Sequence, residues 1–328
     1  MLELKYCEIK DNKYFSSIPY FEIWGTLDGP SIFISAGVHG DEINGVYLIK
    51  KFIDWAKESK LEGRLKGRLF VLPILNLSGF RSRKRYVLED KKDLNRQFGK
   101  TDSKTISALI ASNLVDEIFS KCDMGVDIHD AGFGAVLLPH ARIHISDRDN
   151  CISCSRTLAQ IFGTEFILER KGVPSMMAVY MNNIMNKPVI TVEIGGAGHL
   201  NEQLVSIGLR GLKNVLFANH MLDGEIDLPQ LQYILHSRKT MRVNYTAVIK
   251  FNRKLGDWVE EGQQIGTLYC PETTKEEPLL AHKSGILFSI WPDNQICKGR
   301  QICSIVNTKS KNMTSEGLQK MENYQKNM

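Results

Sequence analysis

The chain has 328 residues, 43% of them hydrophobic and 24% charged, with a formal net charge of +5. That length fits one large domain, or one large and one small, and the apolar fraction is ordinary for a globular protein. The charge is mild and no dense Lys/Arg stripe is interleaved with aromatics, which argues against a nucleic-acid partner.

Residues 1–30 read as short strands and turns, punctuated by Gly25 and Gly29-Pro30. The apolar run at 31–36 predicts a buried strand. Residues 45–60 predict a helix with Val46, Ile49, Phe52, Ile53 and Ala56 on one face. Between them lies Gly37-Val38-His39-Gly40-Asp41-Glu42. Its glycines let the backbone turn tightly, so His39 and Glu42 are expected on one strand-to-helix turn. A histidine nitrogen and a carboxylate at this spacing can chelate one zinc ion. Catalytic zinc usually takes three protein ligands and a water, so a third ligand is expected elsewhere. Taken alone, the motif reads equally well as a capping glutamate beside a surface histidine.

A second apolar strand, 69–76, ends in Asn76. Apolar runs separated by helices predict a parallel or mixed sheet covered on both faces. Residues 77–104 are polar and lack periodicity. A long irregular loop of this kind is usually functional. It carries the basic run Arg81-Ser82-Arg83-Lys84-Arg85, then Tyr86 and Asp93-Leu94-Asn95-Arg96. A helix is predicted over 103–119, with Ile106, Leu109, Ile110, Leu114 and Ile118 inward. The strand at 122–129 presents His129 at its end. In open α/β sheets, sites form outside the carboxyl ends of strands. His39, Glu42, Asn76 and His129 all stand at or just past such ends. An apolar segment at 135–143, a helix over 153–162 and a strand over 188–196 follow. That strand closes on Glu193-Ile194-Gly195-Gly196, and a buried strand ending in glutamate needs a partner for the charge. A helix over 204–222 closes the unit.

From residue 228 to 306, short strands alternate with glycine turns every eight to twelve residues, the pattern of a small all-β unit. Residues 309–328 are polar and read as a tail or frayed helix. The expected organisation is 1–227, 228–308 and 309–328. The segments 256–262 and 281–285 resemble hairpins of biotinyl/lipoyl-type barrels. The intervening Cys270-Pro271-Glu272-Thr273-Thr274-Lys275 lacks the flanks of a carrier lysine, so the β unit is read as structural or site-covering. The seven cysteines form no paired CxxC framework, and the lone Cys151-Ile152-Ser153-Cys154 is incidental. Such usage fits a reducing compartment. The N-terminus has no apolar core of a leader, and no apolar run could span a bilayer. A cytoplasmic protein with no membrane partner is the expectation; a homo-oligomer is left open.

Six motifs taken together are more specific than any one. Gly37 to Glu42, Asn76, Arg85-Tyr86, Asp93 to Arg96, Asp127-Ile128-His129 and Glu193 to Gly196 occur in the order found in zinc carboxypeptidase-like enzymes. Over about residues 30–220 the chain resembles the succinylglutamate desuccinylase/aspartoacylase family, and its β unit is similar to the C-terminal domain these proteins carry. The resemblance implies an α/β fold with a mixed, largely parallel sheet, helices on both faces and a small C-terminal all-β domain. It implies one zinc ion per chain on His39, Glu42 and His129, with Glu193 as general base and acid. It also implies that Arg85 polarises the scissile carbonyl and that Asn95 and Arg96 grip a substrate carboxylate.

The residue types suit those roles. Zinc lowers the pKa of a bound water from 15.7 towards about 7. A protected carboxylate can take that water's proton and pass it to the leaving amine. A guanidinium matches an oxyanion or carboxylate through two parallel hydrogen bonds, which lysine cannot do. The implied function is a zinc-dependent amidohydrolase acting on an N-acyl amino acid or a similar small carboxylate-bearing substrate. A zinc carboxypeptidase working on a peptide terminus would use the same residues. A non-catalytic binding or regulatory protein that keeps the site is the reading from another class, and the intact zinc and base positions argue against it. Singly, His129 could be a core histidine, Glu193 an ion-pair partner, the arginines a solvated face and Arg96 a helix cap; their joint occurrence in this order outweighs those readings. The chain departs from the family pattern at Leu77 after Asn76, at Asp130-Ala131-Gly132 after His129 and at Gln97-Phe98-Gly99 after Arg96. These departures bear on specificity.

Overall fold

The computed structural model describes residues 2–10, 15–100, 104–145, 149–307 and 310–313. Two strands, β1 (Leu2–Lys10) and β2 (Phe15–Trp24), form an antiparallel pair longer than the sequence suggested. Then come β3 (Leu27–Ala36), α1 (Ile43–Glu58), β4 (Lys66–Leu72), α2 (Leu77–Ser82) and α3 (Ile106–Glu117). The middle of the chain supplies β5 (Met124–His129), β6 (Val136–Leu137), β7 (His140–Ile145), α4 (Asp149–Phe162) and β8 (Phe166–Lys171). After these follow α5 (Met177–Asn183), β9 (Val189–Glu193), α6 (Glu202–Ala218) and β10 (Leu231–Leu235). The remaining strands are β11 (Lys239–Arg242), β12 (Ala247–Phe251), β13 (Trp258–Val259), β14 (Gln264–Cys270), β15 (Lys275–Leu280), β16 (Gly285–Ile290), β17 (Gln295–Ile296), β18 (Gln301–Val306) and β19 (Ser310–Met313).

Ten strands make one sheet in the order β1-β2-β4-β3-β5-β9-β7-β8-β10-β19. Its centre, β4-β3-β5-β9, is parallel, as are β7-β8 and β8-β10. Alternation along the strands separates two faces. Ile34, Ala36, Val126, Ile128, Ala141, Ile143, Ile190 and Val192 join one core with apolar residues of α1, α4 and α6. The other face is apolar only at its lower half. There Phe33, Phe70, Leu72 and Val189 pack with residues of α3 and α5. Further along the same strands it turns polar: Ser35, Asp127, His129, Thr191 and Glu193 are all buried at the carboxyl ends. Helices therefore cover both faces and leave one polar patch.

Three segments differ from the sequence reading. The stretch 77–104 is not wholly irregular: Asn76 caps α2 by accepting the Gly79 N–H at 2.9 Å, and a 3-10 turn spans Leu94–Arg96. Six- and three-residue helices are too short for periodicity to reveal. Second, β10 pairs in parallel with β8, so the chain stays in the large sheet past residue 228 and enters the β unit only at β11. Third, within the expected tail, β19 pairs antiparallel with β10; residues 309 and 314–328 lie outside the described residues. The β unit stacks a sheet ordered β11-β18-β16-β13 against one ordered β15-β14-β12-β17 around a core that includes Ile249, Ile265, Leu287 and Ile305. It is tied to the large unit by β6, which pairs with β16. Among the described residues, no helix is long and apolar enough to cross a membrane.

Candidate active site

The turn after β3 is shaped by two glycines. Gly37 adopts φ +63°, a conformation costly for other residues. At Gly40 a Cβ would come within 2.2 Å of backbone atoms of Gly79 and Phe80, so the turn can press onto α2 only because that carbon is missing. His39 and Glu42 are thereby held inward, each 2% exposed. His39 Nδ1 lies 2.6 Å from Glu42 Oε1. His129, at the end of β5, places its Nδ1 3.0 Å from Glu42 Oε2. Ligand atoms of His39, Glu42 and His129 all fall within 4.8 Å of one another.

Both imidazoles are fixed from behind. His39 Nε2 lies 3.1 Å from Asp93 Oδ1, and His129 Nε2 lies 2.7 Å from Asp127 Oδ2. Asp127 is itself held by Ser35 Oγ, which donates to its Oδ1 at 2.8 Å. A carboxylate on the far nitrogen favours the tautomer protonated there, so that each ring, once neutral, would present its Nδ1 lone pair to a metal. Burial works against protonating either ring. The carboxylates of Glu42 and Asp93 outweigh it at His39, and those of Asp127 and Glu42 at His129, so both pKa values are raised. Burial would likewise push up the Glu42 carboxyl, but His39 and His129 hold it well below the usual carboxylate range. Among the described residues Glu42 Oε2 receives no hydrogen bond, although it lies close to His129 Nδ1. Two nitrogens and a carboxylate that converge on one point, with Glu42 Oε2 left unsatisfied, fit a divalent metal bound by N and O donors.

Glu193 ends β9 directly opposite His129 in the β5–β9 register. Its Oε1 accepts from Arg142 Nη1 at 2.6 Å. Burial raises the Glu193 carboxyl, but Arg142 and then His129 outweigh it and leave its pKa below the ordinary value. Arg85 donates through Nε and Nη2 to Asp93 Oδ2 at 3.2 and 3.1 Å, with Nη1 3.7 Å from Glu42 Oε1. Asn95 and Arg96 occupy the 3-10 turn Leu94–Arg96, which Asp93 caps by accepting the Asn95 N–H at its Oδ1 at 2.9 Å. Asn95 spends its side-chain oxygen on the Met177 N–H at 2.8 Å, while its main-chain carbonyl accepts from Arg96 Nη1 at 2.7 Å. One cavity of about 180 Å³ touches His39, Glu42, His129, Glu193, Arg85, Asn95 and Arg96. All seven residues singled out from the sequence thus meet in one place.

Sequence reasoning gave no role to Asp93, Asp127, Asp130, Arg142 or Arg238. Asp127 could have been read: two residues before His129 on a strand, it must share that residue's face. Asp130 ties the end of β5 to the start of α1, accepting from the Asn44 backbone and side chain at 3.0 Å each and from Gly132 N–H at 2.6 Å. Burial and the Glu42 charge push its carboxyl up to about 7. Arg142 and Arg238 also line the cavity. Arg142 is placed by the insertion of β7 between β9 and β8, and Arg238 by the link from β10 to β11.

A sequence profile of the succinylglutamate desuccinylase/aspartoacylase catalytic domain matches residues 28–218. The chain is 23% identical over 269 residues to the N-alpha-acetyl-L-2,4-diaminobutyric acid deacetylase of Halomonas elongata, covering 79% of this chain and 77% of that one. It superposes with TM-score 0.82 on the product-bound ectoine utilization protein of Ruegeria pomeroyi, at 22% identity and 94% and 95% coverage of the two chains. A succinylglutamate desuccinylase from Silicibacter sp. TM1040 gives TM-score 0.79 at 23% identity, covering 91% and 92%. At these identities the solved structures show a common fold.

Proposed function

The chain belongs to the succinylglutamate desuccinylase/aspartoacylase family, and from that premise we propose that it is a zinc-dependent amidohydrolase acting on an N-acyl amino acid or a similar small carboxylate-bearing substrate. The observation that carries the reading is the convergence of His39, Glu42 and His129, with Glu193 opposite His129 in the same cavity. A zinc ion on those three residues would supply Lewis acidity and a water acidified towards about pKa 7.

The chain's own groups do the rest. Glu193 takes the water's proton and returns it to the departing amine nitrogen as the C–N bond breaks. Its lowered pKa keeps it ionised and ready to accept that proton. Arg85 donates to the carbonyl oxygen as negative charge develops there. Arg96 binds a substrate carboxylate. Asn95 serves chiefly to position it, since its main-chain carbonyl holds the guanidinium and its side-chain oxygen anchors the turn to α5. Leu137 and Arg238 line the side of the cavity next to the β unit.

A cavity of about 180 Å³ is smaller than the roughly 300–1,000 Å³ of pockets for drug-sized ligands, which favours a small acyl amino acid over a peptide chain. The deacetylase activity named for the Halomonas elongata relative makes acetylated amino acids natural first substrates. We place the reaction in the cytoplasm, a reading supported by seven cysteines that form no disulfide among the described residues. The test is elemental analysis of protein purified without added metal, with a panel of N-acetyl and N-succinyl amino acids set against short peptides. One zinc per chain and release of free amino acid are expected. A chain that takes up no zinc, or cleaves peptides alone, would overturn the reading.

A further inference from the structure

A second cavity, of about 590 Å³, lies outside the candidate active site and shares none of its lining residues. Its size falls within the roughly 300–1,000 Å³ of small-molecule pockets. Leu137, the last residue of β6, lines the first cavity, and Leu138, directly after it, lines the second. Phe166 and Tyr233 stand opposite each other in the parallel β8–β10 register and stack with their ring centroids 5.6 Å apart. Ile207 and Arg210 of α6, at positions i and i+3, share one side of the helix and face the same space. Leu231 of β10 adds to the apolar wall.

Two charged groups border this wall, Arg210 and Glu165. Arg210 is half-buried. Its Nη2 donates to the Gly163 carbonyl at 3.0 Å, which fixes the guanidinium, yet among the described residues its Nε is buried without a hydrogen bond. Nor does it form an ion pair among those residues. Glu225 and Asp227 line a smaller cavity of about 330 Å³ that Arg210 also borders, and neither pairs with it. Glu165 is exposed just before β8; its main-chain carbonyl accepts the Tyr233 N–H at 2.7 Å, and its carboxylate has no partner among the described residues. The two charges therefore share a cavity without closing on each other. Thr164, by contrast, is spent: its hydroxyl accepts the Ala141 N–H at 3.0 Å and donates to the Phe166 carbonyl at 2.8 Å. A fixed guanidinium, partly withdrawn from water and lacking an acid, favours a carboxylate from outside. A free carboxylate on the same cavity favours an ammonium. Apolar walls with a stacked aromatic pair favour an apolar or aromatic body. An α-amino acid carries all three in one small molecule.

We propose that this cavity is a second ligand site, which takes a free α-amino acid with an aromatic or branched apolar side chain. Arg210 holds its carboxylate, Glu165 its ammonium, and Phe166, Ile207 and Leu231 receive its side chain. The inference stands on this cavity alone and does not use the hydrolytic reading of the other.

The test is calorimetry on the full chain as purified, with three probes: L-phenylalanine, phenethylamine, which lacks the carboxylate, and 3-phenylpropionate, which lacks the ammonium. The wild type should bind L-phenylalanine about tenfold to a hundredfold more tightly than either, the range for a hydrogen bond to a charged group. Arg210→Gln should erase the advantage over phenethylamine and leave phenethylamine binding as it was. Glu165→Gln should erase the advantage over 3-phenylpropionate in the same way. Ile207→Trp fills the space and should abolish binding of all three. Arg210→Gln also gives up the bond to Gly163, so melting curves accompany each variant; if it does not fold, Glu165→Gln and Ile207→Trp decide. No binding of L-phenylalanine at millimolar concentration would overturn the proposal. Equal binding of L-phenylalanine and phenethylamine by the wild type would do the same. So would binding that survives Ile207→Trp, which would put the ligand in the other cavity. None of these outcomes depends on metal content or turnover, so the amidohydrolase reading stands or fails separately.

Discussion

Asp127 never faces the cavity opening, yet removing it should weaken the metal site. Its two oxygens are fully used inside the protein. Oδ2 accepts from His129 Nε2 at 2.7 Å and Oδ1 from Ser35 Oγ at 2.8 Å, and the side chain has no exposed surface. When His129 is a ligand, its ring must be neutral, with the proton on Nε2 and the lone pair on Nδ1. Asp127→Ala leaves that N–H buried without an acceptor and lets the ring turn. The loss is that of a charge-assisted hydrogen bond, about 1.5–3 kcal/mol. Converted at roughly 1.4 kcal/mol per tenfold, this is about one to two decades of zinc affinity, the range found for carboxylates that orient ligating histidines. Asp127→Asn keeps an acceptor for the ring and loses only the charge, so its effect should be about tenfold or less. Ser35→Ala removes the other bond and should change affinity by only a few-fold. The assay is competition for zinc against a chromogenic chelator at fixed pH, with melting curves of the metal-free proteins alongside. Wild-type affinity in Asp127→Ala would refute the argument. An equal loss in Asp127→Asn and Asp127→Ala would show that the charge matters and the hydrogen bond does not.

Glu193→Gln keeps the shape of the side chain but cannot accept the water's proton; kcat should fall about a hundredfold or more with zinc content unchanged, and near-normal turnover would place the base elsewhere. Arg96→Lys should lower kcat/KM for the carboxylate-bearing substrate by roughly 2–4 kcal/mol and barely affect the matching amide. A loss shared by acid and amide would make Arg96 a loop-holding residue. The pH dependence of stability should carry the mark of His140 and His144, which burial pushes down to about 4 and about 3. Their pKa values are depressed on folding, so the stability they lend is complete above about pH 6.5. It is lost as pH falls towards 4, where the unfolded chain binds protons that the folded chain does not. Denaturant titrations from pH 7.5 to 4 should give a slope about 1.4 kcal/mol per pH unit shallower in His144→Gln than in the wild type, and parallel profiles would contradict this.

How much of this was legible depended on the distance over which each contact forms. The turn carrying His39 and Glu42 is local: two glycines, a strand before and a helix after state it completely. The ends of β5 and β9 were legible because strands rich in β-branched residues rarely finish on His or Glu without a reason. Their mutual register was not, since no feature of the sequence tells that His129 faces Glu193. Asp93 was seen as part of a motif but given no job, because its partner His39 is 54 positions away. Arg142 depends on sheet order: β7 enters antiparallel beside β9, and only then can its arginine reach Glu193. Arg238 lies in a link with no pattern of its own. The β unit was visible as a rhythm of short strands, but its boundary was read too early, since β10 has the same look and the choice of sheet is made by β8.

The same strand alternation explains how a buried sheet can hold so many charges. On β5, Val126 and Ile128 feed the helix-covered core while Asp127 and His129 face the site, and on β9 Ile190 and Val192 do the same beside Thr191 and Glu193. A slip of one residue in either strand would move every one of these side chains to the opposite face, placing acids in the core and valine and isoleucine at the site. The apolar core built with α1, α4 and α6 therefore fixes the register on which the chemistry depends. On the polar face the charges are largely paired within the chain, His39 with Asp93, His129 with Asp127, Arg85 with Asp93 and Arg142 with Glu193. Each pair limits the desolvation penalty of its members and holds one of them in the orientation that binding or proton transfer needs. Among the described residues this pairing leaves two of the guanidinium groups that line the cavity without an acid of the chain, Arg96 from the 3-10 turn and Arg238 from the link before β11, and they are the physical reason to expect an anionic substrate.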